Sequence, residues 1–248
     1  MGSLKEVVRP ILRRLTRRDA RLIRRYLQSH CPLKLHIGCG DHLIDGWLNS
    51  DLHPFWNAVS LNALHKFPFD NQTFDYVYSE HMIEHLSYDS GRVMLSECFR
   101  VIKPGGRIRV ATPDLNFLVQ LYLKDDAVAR QYIAWVGQQF LDGQAPHCAA
   151  SVINNFVRAW GHTFIYDFDT LRASMEAAGF QEVTAQRVNI SPDPHLTNLE
   201  NKRVKPVPSA LYELETFVLE GVRLKRPPKS PDRVYPMAKH QQNAGVCL

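Results

Sequence analysis

The stretch from residue 33 to residue 52 reads LKLHIGCGDHLIDGWLNSDL. Its alternating apolar residues at 33, 35 and 37 predict a short strand that runs straight into the glycine pair of G-C-G at 38–40. Two glycines after a strand let the backbone pass close to a ligand where a Cβ would clash. Asp51 ends the next short segment, where a carboxylate can accept both hydroxyls of a ribose. The stretch therefore predicts a nucleoside-containing cofactor.

The spacing argues against two common nucleotide motifs. A dinucleotide fingerprint needs a third glycine, where this chain has Leu43, and an acid farther away than Asp51. No lysine follows the glycines, so the stretch is not a P-loop. A cofactor with adenosine but no phosphates fits better, although the motif alone also leaves open a plain turn at the end of a strand.

Three further segments carry a family resemblance. Residues 67–81 read FPFDNQTFDYVYSEH, residues 95–110 read LSECFRVIKPGGRIRV, and residues 171–183 read LRASMEAAGFQEV. In this order after H-I-G-C-G they resemble the class I S-adenosylmethionine-dependent methyltransferases, most closely the small-molecule type with S-E-H-x-x-E-H-L after the fourth strand. The resemblance spans about 33–224. Its most specific part contains Pro104, which prevents helix continuation before two glycines turn the chain into the next strand.

The order of the predicted elements indicates an α/β protein. Strands alternate with helices, which implies a parallel sheet covered on both faces. The predicted strands are 33–37, 47–51, 58–61, 74–78, 107–111, 182–188 and 216–224, and the predicted helices are 90–101, 170–178 and one beginning near His81. The resemblance adds a Rossmann-like methyltransferase fold with seven strands and an antiparallel last strand. Too little chain lies between Gly40 and Asp51 for a full first crossover helix.

We expect one main domain with attachments. Residues 31–225 form the methyltransferase domain, preceded by a basic amphipathic helical arm at 1–30 and followed by a flexible tail at 226–248. Residues 115–165 are an aromatic-rich helical insertion, placed to cover the site or to add a packing layer. The five cysteines show no paired spacing, which favours free thiols. The chain shows no signal peptide or membrane-spanning run, so we expect it to be cytoplasmic and peripheral to a membrane at most.

The charge is concentrated in the arm. Residues 1–30 contain nine basic and two acidic residues, a net charge of +7, which leaves −2 for the rest of a chain with net charge +5. Apolar residues recur there with helical spacing. Residues 1–28 could therefore contact an anionic membrane or a protein partner, or pack on their own domain. We expect no nucleic-acid partner, because the rest of the chain has no basic stripe.

The resemblance also assigns residues to the cofactor, S-adenosyl-L-methionine. Asp51 would hold the ribose and Leu52 would lie against the adenine, while a loop or capping role for Asp51 is the alternative. Asn62 could bind the adenine edge or be an ordinary turn residue. His36 stands where many members carry a carboxylate, so the usual ammonium contact is uncertain. The assigned residues are His36, Gly38, Cys39, Gly40, Asp51, Leu52, Asn62, Ala63, Ser79, Glu80 and His81.

The predicted reaction is methyl transfer to a small molecule, with a hydroxyl of a sugar-like or aromatic compound favoured. A hydroxyl acceptor benefits from a general base with a pKa near neutrality, for which histidine is suited. His81 is the first candidate, since it follows the fourth strand, and His162 in W-G-H-T is the second. An amine or carbon acceptor would need no such base.

Two other functions stay open at this point. A regulatory protein could bind S-adenosylmethionine without catalysis, as the departure at His36 suggests. A zinc hydrolase could use His81 and His85, because residues 81–85 match the motif H-x-x-E-H, which places both histidines on one face of a helix where they can share a zinc ion. The third zinc ligand would have to come from Glu97, His147 or His162, none of which has a convincing pattern. We therefore expect no metal, and the sequence does not indicate an oligomeric state.

Overall fold

The structure is a computed structural model that describes residues 17–54, 57–141, 143, 146–201 and 207–225. The strands are β1 (Lys34–Ile37), β2 (Leu48–Asp51), β3 (Val59–Ser60), β4 (Phe74–Glu80), β5 (Ile102–Pro113), β6 (Gln181–Gln186) and β7 (Thr216–Val222). The helices are α1 (Arg18–Ser29), α2 (Tyr88–Val101), α3 (Leu115–Leu123), α4 (Ala127–Phe140), α5 (Ala149–Arg158), α6 (Phe168–Ala178) and α7 (Ser209–Glu215). The tail at 226–248 lies outside the described residues.

The strands form one seven-stranded sheet in the order β3-β2-β1-β4-β5-β7-β6. The pairs from β3 to β5 are parallel, whereas β7 runs antiparallel to both β5 and β6. The predicted fold class, a mostly parallel Rossmann-like sheet with an antiparallel last strand, is confirmed. The carboxyl ends of β1, β2, β4 and β5 meet at one edge of this sheet, where open α/β sheets bind their ligands.

The first crossover has no helix. Residues 40–47 form turns, as the short spacing between Gly40 and Asp51 predicted. Asn49 holds these turns, since its side-chain amide accepts from Ile44 N at 2.9 Å and donates to Ile44 O at 3.0 Å. The chain between β1 and β2 therefore stays close to the sheet edge.

The segment after β4 differs from the predicted helix near His81. His81 has a left-handed backbone with φ of 44°, which interrupts any helix, and only a 3₁₀ turn forms at Ile83–His85. The following helix α2 starts at Tyr88, where the Ser87 hydroxyl caps it by accepting from Ser90 N at 3.3 Å. His81 therefore lies beyond the end of β4 rather than on a helix.

The larger hydrophobic clusters are the main core of the sheet and a second cluster among the helices. The main core contains buried strand residues such as Leu35, Val77 and Val110. A separate cluster joins the helices of the 115–165 region to α7, and it is built on Leu118, Leu121, Ala129, Tyr132, Val136, Val152, Phe156 and Leu211. Helices α3 to α5 thus have a core of their own next to the carboxyl ends of the strands.

Helix α1 packs on the domain. Leu22, Ile23 and Leu27 contact the main core, and the buried Tyr26 hydroxyl accepts from Lys34 N at 2.8 Å. The apolar side of this part of the basic arm is thereby covered, while residues 1–16 lie outside the described residues. Within the described chain, no helix has the length and apolar character to cross a bilayer.

Candidate functional site

Two cavities meet at the carboxyl edge of the sheet. The cofactor cavity, of about 510 Å³, lies over the ends of β1, β2 and β4. The acceptor cavity, of about 300 Å³, lies beneath the helices of the 115–165 region. His81 and His85 line both cavities, so these two side chains form the wall between them. Both volumes fall within the range of small-molecule pockets.

The G-C-G turn forms the floor of the cofactor cavity. Gly38 N and Cys39 N both donate to Ser50 O, at 2.9 and 3.0 Å, which ties the end of β1 to β2. Gly38 has φ of 73°, and a Cβ there would lie 2.3 Å from Cγ of Met82. Cys39 is buried, and burial raises the pKa of its thiol to about 12, which makes it a packing residue and not a nucleophile.

Asp51 joins this turn to the loop after β2. One carboxylate oxygen accepts from Gly40 N at 3.0 Å, and the other accepts from His53 N at 2.9 Å. Each oxygen keeps a second lone pair, and Asp51 lines the cofactor cavity. The carboxylate thus has a loop role and retains acceptor capacity for the two hydroxyls of a ribose.

The side of the cavity near β2 and β3 is apolar and open. Leu52 and Leu64 line it while remaining 52% and 47% exposed, so a flat ring inserted between them would cover both. Ala63 lies beside them. Asn62 also lines the cavity, but its side-chain oxygen accepts from Leu64 N at 2.9 Å, so the amide donor is what it offers to a ligand.

His36 is buried on β1 at the deep end of the cavity. Its Nδ1 lies 3.0 Å from the side-chain oxygen of Asn49, which can only accept, so Nδ1 carries the proton. Burial lowers the pKa of His36 to about 4, partly offset by that hydrogen bond. His36 is therefore neutral near pH 7 and cannot neutralise an ammonium group.

Glu80 provides the negative charge at this end. One carboxylate oxygen accepts from Asn201 N at 2.7 Å and from the Tyr212 hydroxyl at 2.6 Å, and His42 Nδ1 lies 3.4 Å from the other. Burial alone would raise the pKa of Glu80, but His42 and its other partners bring the pKa down to about 2. Glu80 is an ionised carboxylate in the cavity wall, suited to face a cation.

Ser79 was expected to contact the cofactor, but its side chain lies elsewhere. It is buried within β4, opposite Ile37 of β1, and it lines neither cavity. Successive residues of a strand point to opposite faces, so Glu80 reaches the cavity and Ser79 does not. The other residues assigned to the cofactor all line the cofactor cavity, whereas His162 lines the acceptor cavity.

Aromatic side chains surround the mouth of the acceptor cavity. Trp160 packs edge-to-face against Phe140 and Phe156, with ring centroids 5.3 and 5.8 Å apart. Trp160 and Gly161 both have left-handed backbones, with φ of 57° and 81°. This turn brings His162, the next residue, to the cavity wall.

His81 lies at the junction with both ring nitrogens close to a partner. Nδ1 lies 3.2 Å from a carboxylate oxygen of Glu84, and Nε2 lies 3.0 Å from the Thr216 hydroxyl. Burial would raise the pKa of Glu84, but His81 lowers it below its usual value. An ionised Glu84 favours the tautomer with the proton on Nδ1, so that Nε2 can accept a proton.

His162 has one nitrogen fixed by the backbone. Its Nδ1 lies 2.6 Å from Phe156 O, so that nitrogen donates and Nε2 carries the lone pair. Burial lowers the pKa of His162, which keeps the ring neutral near pH 7. Nε2 lies 4.0 Å from Glu84 and within the acceptor cavity.

The prediction that His81 and His85 lie on one face of a helix, where they could share a zinc ion, is wrong. The two histidines are not one turn apart on a helix, because residues 83–85 form only a 3₁₀ turn. In the part of the chain that the structure describes, the ligand atoms that do come together belong to Glu84, His85 and His162.

Sequence analysis did not identify the site residues that come from the C-terminal part of the chain. Asn201 reaches the junction from a loop, Tyr212 from α7 and Thr216 from β7, all more than 110 residues beyond β4. Nothing in their local sequence marks them. Glu84 and His85 lie within H-x-x-E-H, which does indicate chemistry at this position.

Comparison with protein-family models matches residues 47–110 to a family described as a methyltransferase domain. This segment, about a quarter of the chain, runs from β2 into β5 and includes His81, Glu84 and His85. The match, on a sheet of the predicted topology, supports an S-adenosylmethionine-dependent methyltransferase, which is the class predicted from the sequence. A search of curated proteins finds no match.

Solved structures of methyltransferases are also similar to this chain. A Thermotoga maritima protein, described as a SAM-dependent methyltransferase and possible histamine N-methyltransferase, is 16% identical with a TM-score of 0.43, and the match covers 90% of this chain and 100% of that one. A SAM-dependent methyltransferase from Archaeoglobus fulgidus is 18% identical with a TM-score of 0.44, covering 85% and 94%. At these values the likenesses say nothing about the methyl acceptor.

Proposed function

We propose that this protein transfers a methyl group from S-adenosylmethionine to a hydroxyl of a small sugar-like or aromatic molecule, as an enzyme of the S-E-H-x-x-E-H-L type. The observation that carries this proposal is the pair of cavities that share His81 and His85. One cavity offers the glycine turn and Asp51, which suit an adenosyl group. The other is lined by aromatic rings and opens on the same two histidines.

The cofactor would lie along the sheet edge with its adenine between Leu52 and Leu64. Its ribose hydroxyls would donate to Asp51, and the backbone at Gly38 would lie under the ribose and the methionine chain. The ammonium would face Glu80, which takes the role that His36 cannot fill. This orientation directs the sulfonium methyl toward the wall formed by the two histidines.

The reaction is an in-line displacement at the methyl carbon. Bound S-adenosylmethionine would supply an activated methyl group: the acceptor oxygen would bond to the methyl carbon as the carbon–sulfur bond breaks, and the electron pair of that bond would leave with neutral S-adenosylhomocysteine. The hydroxyl proton would pass to His81 Nε2, which lies 3.0 Å from the Thr216 hydroxyl. Glu84 stabilises the protonated ring through Nδ1. Alignment and exclusion of water supply much of the remaining acceleration.

The acceptor cavity favours a single ring. Its volume of about 300 Å³ lies at the lower end of ligand pockets. Phe140 and Trp160 line this cavity and remain exposed, and aromatic rings stack on sugars and on other aromatic rings. Polar groups that line it, such as His162, can orient hydroxyls.

Binding of S-adenosylhomocysteine tests the cofactor half of the proposal. Isothermal titration of the full chain should give micromolar affinity, and Asp51→Ala should weaken it by about 30-fold, since two charge-assisted hydrogen bonds are lost. Asp45→Ala is the matched control, because Asp45 is exposed and does not line the cavity. Equal affinities in the two variants would overturn this placement of the ribose.

Transfer of a labelled methyl group tests the acceptor half. The protein should label members of a panel of monosaccharides, nucleotide sugars and phenols, but not the corresponding deoxy compounds. His81→Gln should lower turnover about 100-fold at saturating S-adenosylmethionine, because the general base is lost. Tight cofactor binding with no transfer to any hydroxyl compound would instead favour the catalytically silent regulatory protein.

A further inference from the structure

Three side chains with metal-binding atoms converge at the inner wall of the acceptor cavity. The ligand atoms of Glu84, His85 and His162 all lie within 4.8 Å of one another. Glu84 comes from the 3₁₀ turn after β4 together with His85, whereas His162 comes from the turn after α5. The three residues are therefore brought together by the tertiary fold and not by one local element.

Glu84 is the least expected member of this cluster. Its side chain is fully buried, and one oxygen accepts from the Thr112 hydroxyl at 3.1 Å. The other oxygen has no hydrogen-bond partner of good geometry among the described residues, with His81 Nδ1 at 3.2 Å and His162 Nε2 at 4.0 Å as its neighbours. A buried carboxylate oxygen without a hydrogen bond destabilises the folded protein unless a cation binds to it.

The two histidines are arranged as metal ligands usually are. His162 donates its Nδ1 proton to Phe156 O, which leaves Nε2 free to coordinate. Ligating histidines commonly have their second nitrogen fixed by a backbone carbonyl in this manner. Within the described chain the His85 ring makes no hydrogen bond, and it packs edge-on against His162 with centroids 4.9 Å apart.

We propose that Glu84, His85 and His162 bind a divalent transition-metal ion, with zinc as the preferred ion, at the wall between the two cavities. Two imidazoles and one carboxylate are the ligand set of catalytic zinc sites, which keep a further position open. Magnesium and calcium prefer all-oxygen sites and fit poorly. A metal ion at this position departs from the expectation of no metal, and its ligand set shares only His85 with the His81–His85 pair.

Formation of the site requires a small contraction. Tetrahedral ligands about 2.0 Å from zinc lie roughly 3.3 Å apart, so the widest separation must shorten by at most about 1.5 Å. His85 lines both cavities, so its ring has room for such a rotation. The open position would face the acceptor cavity, because all three ligands line it.

Given the proposed function, this site would bind the acceptor hydroxyl. Coordination lowers the pKa of a bound hydroxyl and orients its lone pair. The released proton then passes to His81, which lies outside the ligand set but contacts Glu84. An acceptor with two neighbouring hydroxyls, such as a sugar or catechol-like ring, would bind best, because one oxygen coordinates while the other guides orientation.

Metal binding can be measured without turnover. Untagged full-length protein, stripped of metal by chelation, is titrated with Co²⁺ alone and with Zn²⁺ in competition. We expect one equivalent of Co²⁺ with a visible absorption band typical of four or five ligands, displaced by one equivalent of Zn²⁺. His85→Ala, His162→Ala and Glu84→Gln should each weaken Zn²⁺ binding at least 30-fold.

The controls separate loss of the site from loss of the fold. His65→Ala removes an exposed histidine that lines neither cavity and should bind Zn²⁺ like the parent protein. Glu84→Gln and His162→Ala, whose side chains line only the acceptor cavity, should still bind S-adenosylhomocysteine within threefold, which shows that they fold. Zn²⁺ binding no tighter than millimolar, or equal binding in His65→Ala and His162→Ala, would overturn the site. Zinc binding without S-adenosylhomocysteine binding would instead overturn the proposed function and leave the site standing.

Discussion

Gly38 determines how closely a ligand can approach the end of β1. Its backbone is left-handed, and the space where a Cβ would stand is taken by the Met82 side chain. Gly40, two residues later, is also left-handed, with φ of 51°, but has nothing within 4 Å of its Cβ position. A side chain at Gly38 would therefore meet both backbone strain and a steric clash, whereas a side chain at Gly40 would meet backbone strain alone.

The Gly38→Ala variant should lower the free energy of unfolding by about 3 kcal/mol, from left-handed strain together with overpacking against Met82. Gly40→Ala should cost only about 1 kcal/mol, since strain alone applies there. Urea unfolding of the ligand-free variants measures both effects. Equal costs at the two positions would contradict the packing of Met82 against the turn.

The lowered pKa of the buried His36 should make the stability of the folded protein depend on pH. Its pKa is lowered by burial to about 4 in the folded protein, whereas an unfolded chain has the ordinary value of about 6.5. The unfolded state therefore binds the proton first as pH falls, and stability decreases between pH 6.5 and 4 by up to about 3 kcal/mol. His36→Gln should flatten urea-unfolding stability over this window; an unchanged slope would show that other groups cause the loss.

At the scale of elements, a buried ion network holds the segment between β6 and α7 against the sheet. Arg109 on β5 is fully buried and donates to Glu200 and to Glu220 of β7, with closest distances of 2.6 Å to each. It also donates to the carbonyl oxygens of Arg187 and Ile190. This segment leads to Asn201, which fixes Glu80 in the cofactor cavity.

Replacing Arg109 by Met should lower the free energy of unfolding by about 4 kcal/mol, because two carboxylates are left buried and unpaired. The triple variant with Glu200→Gln and Glu220→Gln should recover part of that loss. Arg172→Met is the control, since Arg172 and Glu176 form an exposed pair one helical turn apart, worth less than about 0.5 kcal/mol. A small effect of Arg109→Met in thermal and urea unfolding would contradict the buried network.

Helix α1 limits where the basic arm can bind. Since Leu22, Ile23 and Leu27 pack on the core, the apolar side of α1 is not available to a partner, and an apolar contact of the arm with a membrane would have to use residues 1–16. Deleting residues 1–16 should abolish sedimentation with anionic phosphatidylserine vesicles, at low salt, and leave S-adenosylhomocysteine affinity unchanged. If the protein still sediments with the vesicles after the deletion, residues 1–16 are not the membrane contact.

Across the whole molecule, the sequence allowed us to predict the site residues that lie close together along the chain. It did not allow us to predict those that only the folded structure brings together. The strand, the G-C-G turn and Asp51 lie within 20 residues, and their spacing alone predicted a cofactor site. The two-cavity arrangement depends on β7, α7 and the turn after α5, which contact β4 only in the folded chain. Side chains such as Tyr212 carry no local pattern, so their role could not be read from the sequence.

His81 shows why a correct motif can still suggest a wrong geometry. Its position after the fourth strand was predicted, but H-x-x-E-H suggested a helix that places His81 and His85 on one face. The left-handed backbone at His81 ends that possibility and turns its ring toward Thr216 instead. Backbone conformation of a single non-glycine residue is set by tertiary packing, which spacing does not record.

A crystal structure of the protein with S-adenosylhomocysteine tests the proposed cofactor site most directly. The ribose hydroxyls should lie on Asp51, the adenine between Leu52 and Leu64, and the sulfur should face the wall formed by His81 and His85. A nucleoside found in the acceptor cavity, or one bound elsewhere with Asp51 contacting only Gly40 and His53, would contradict it.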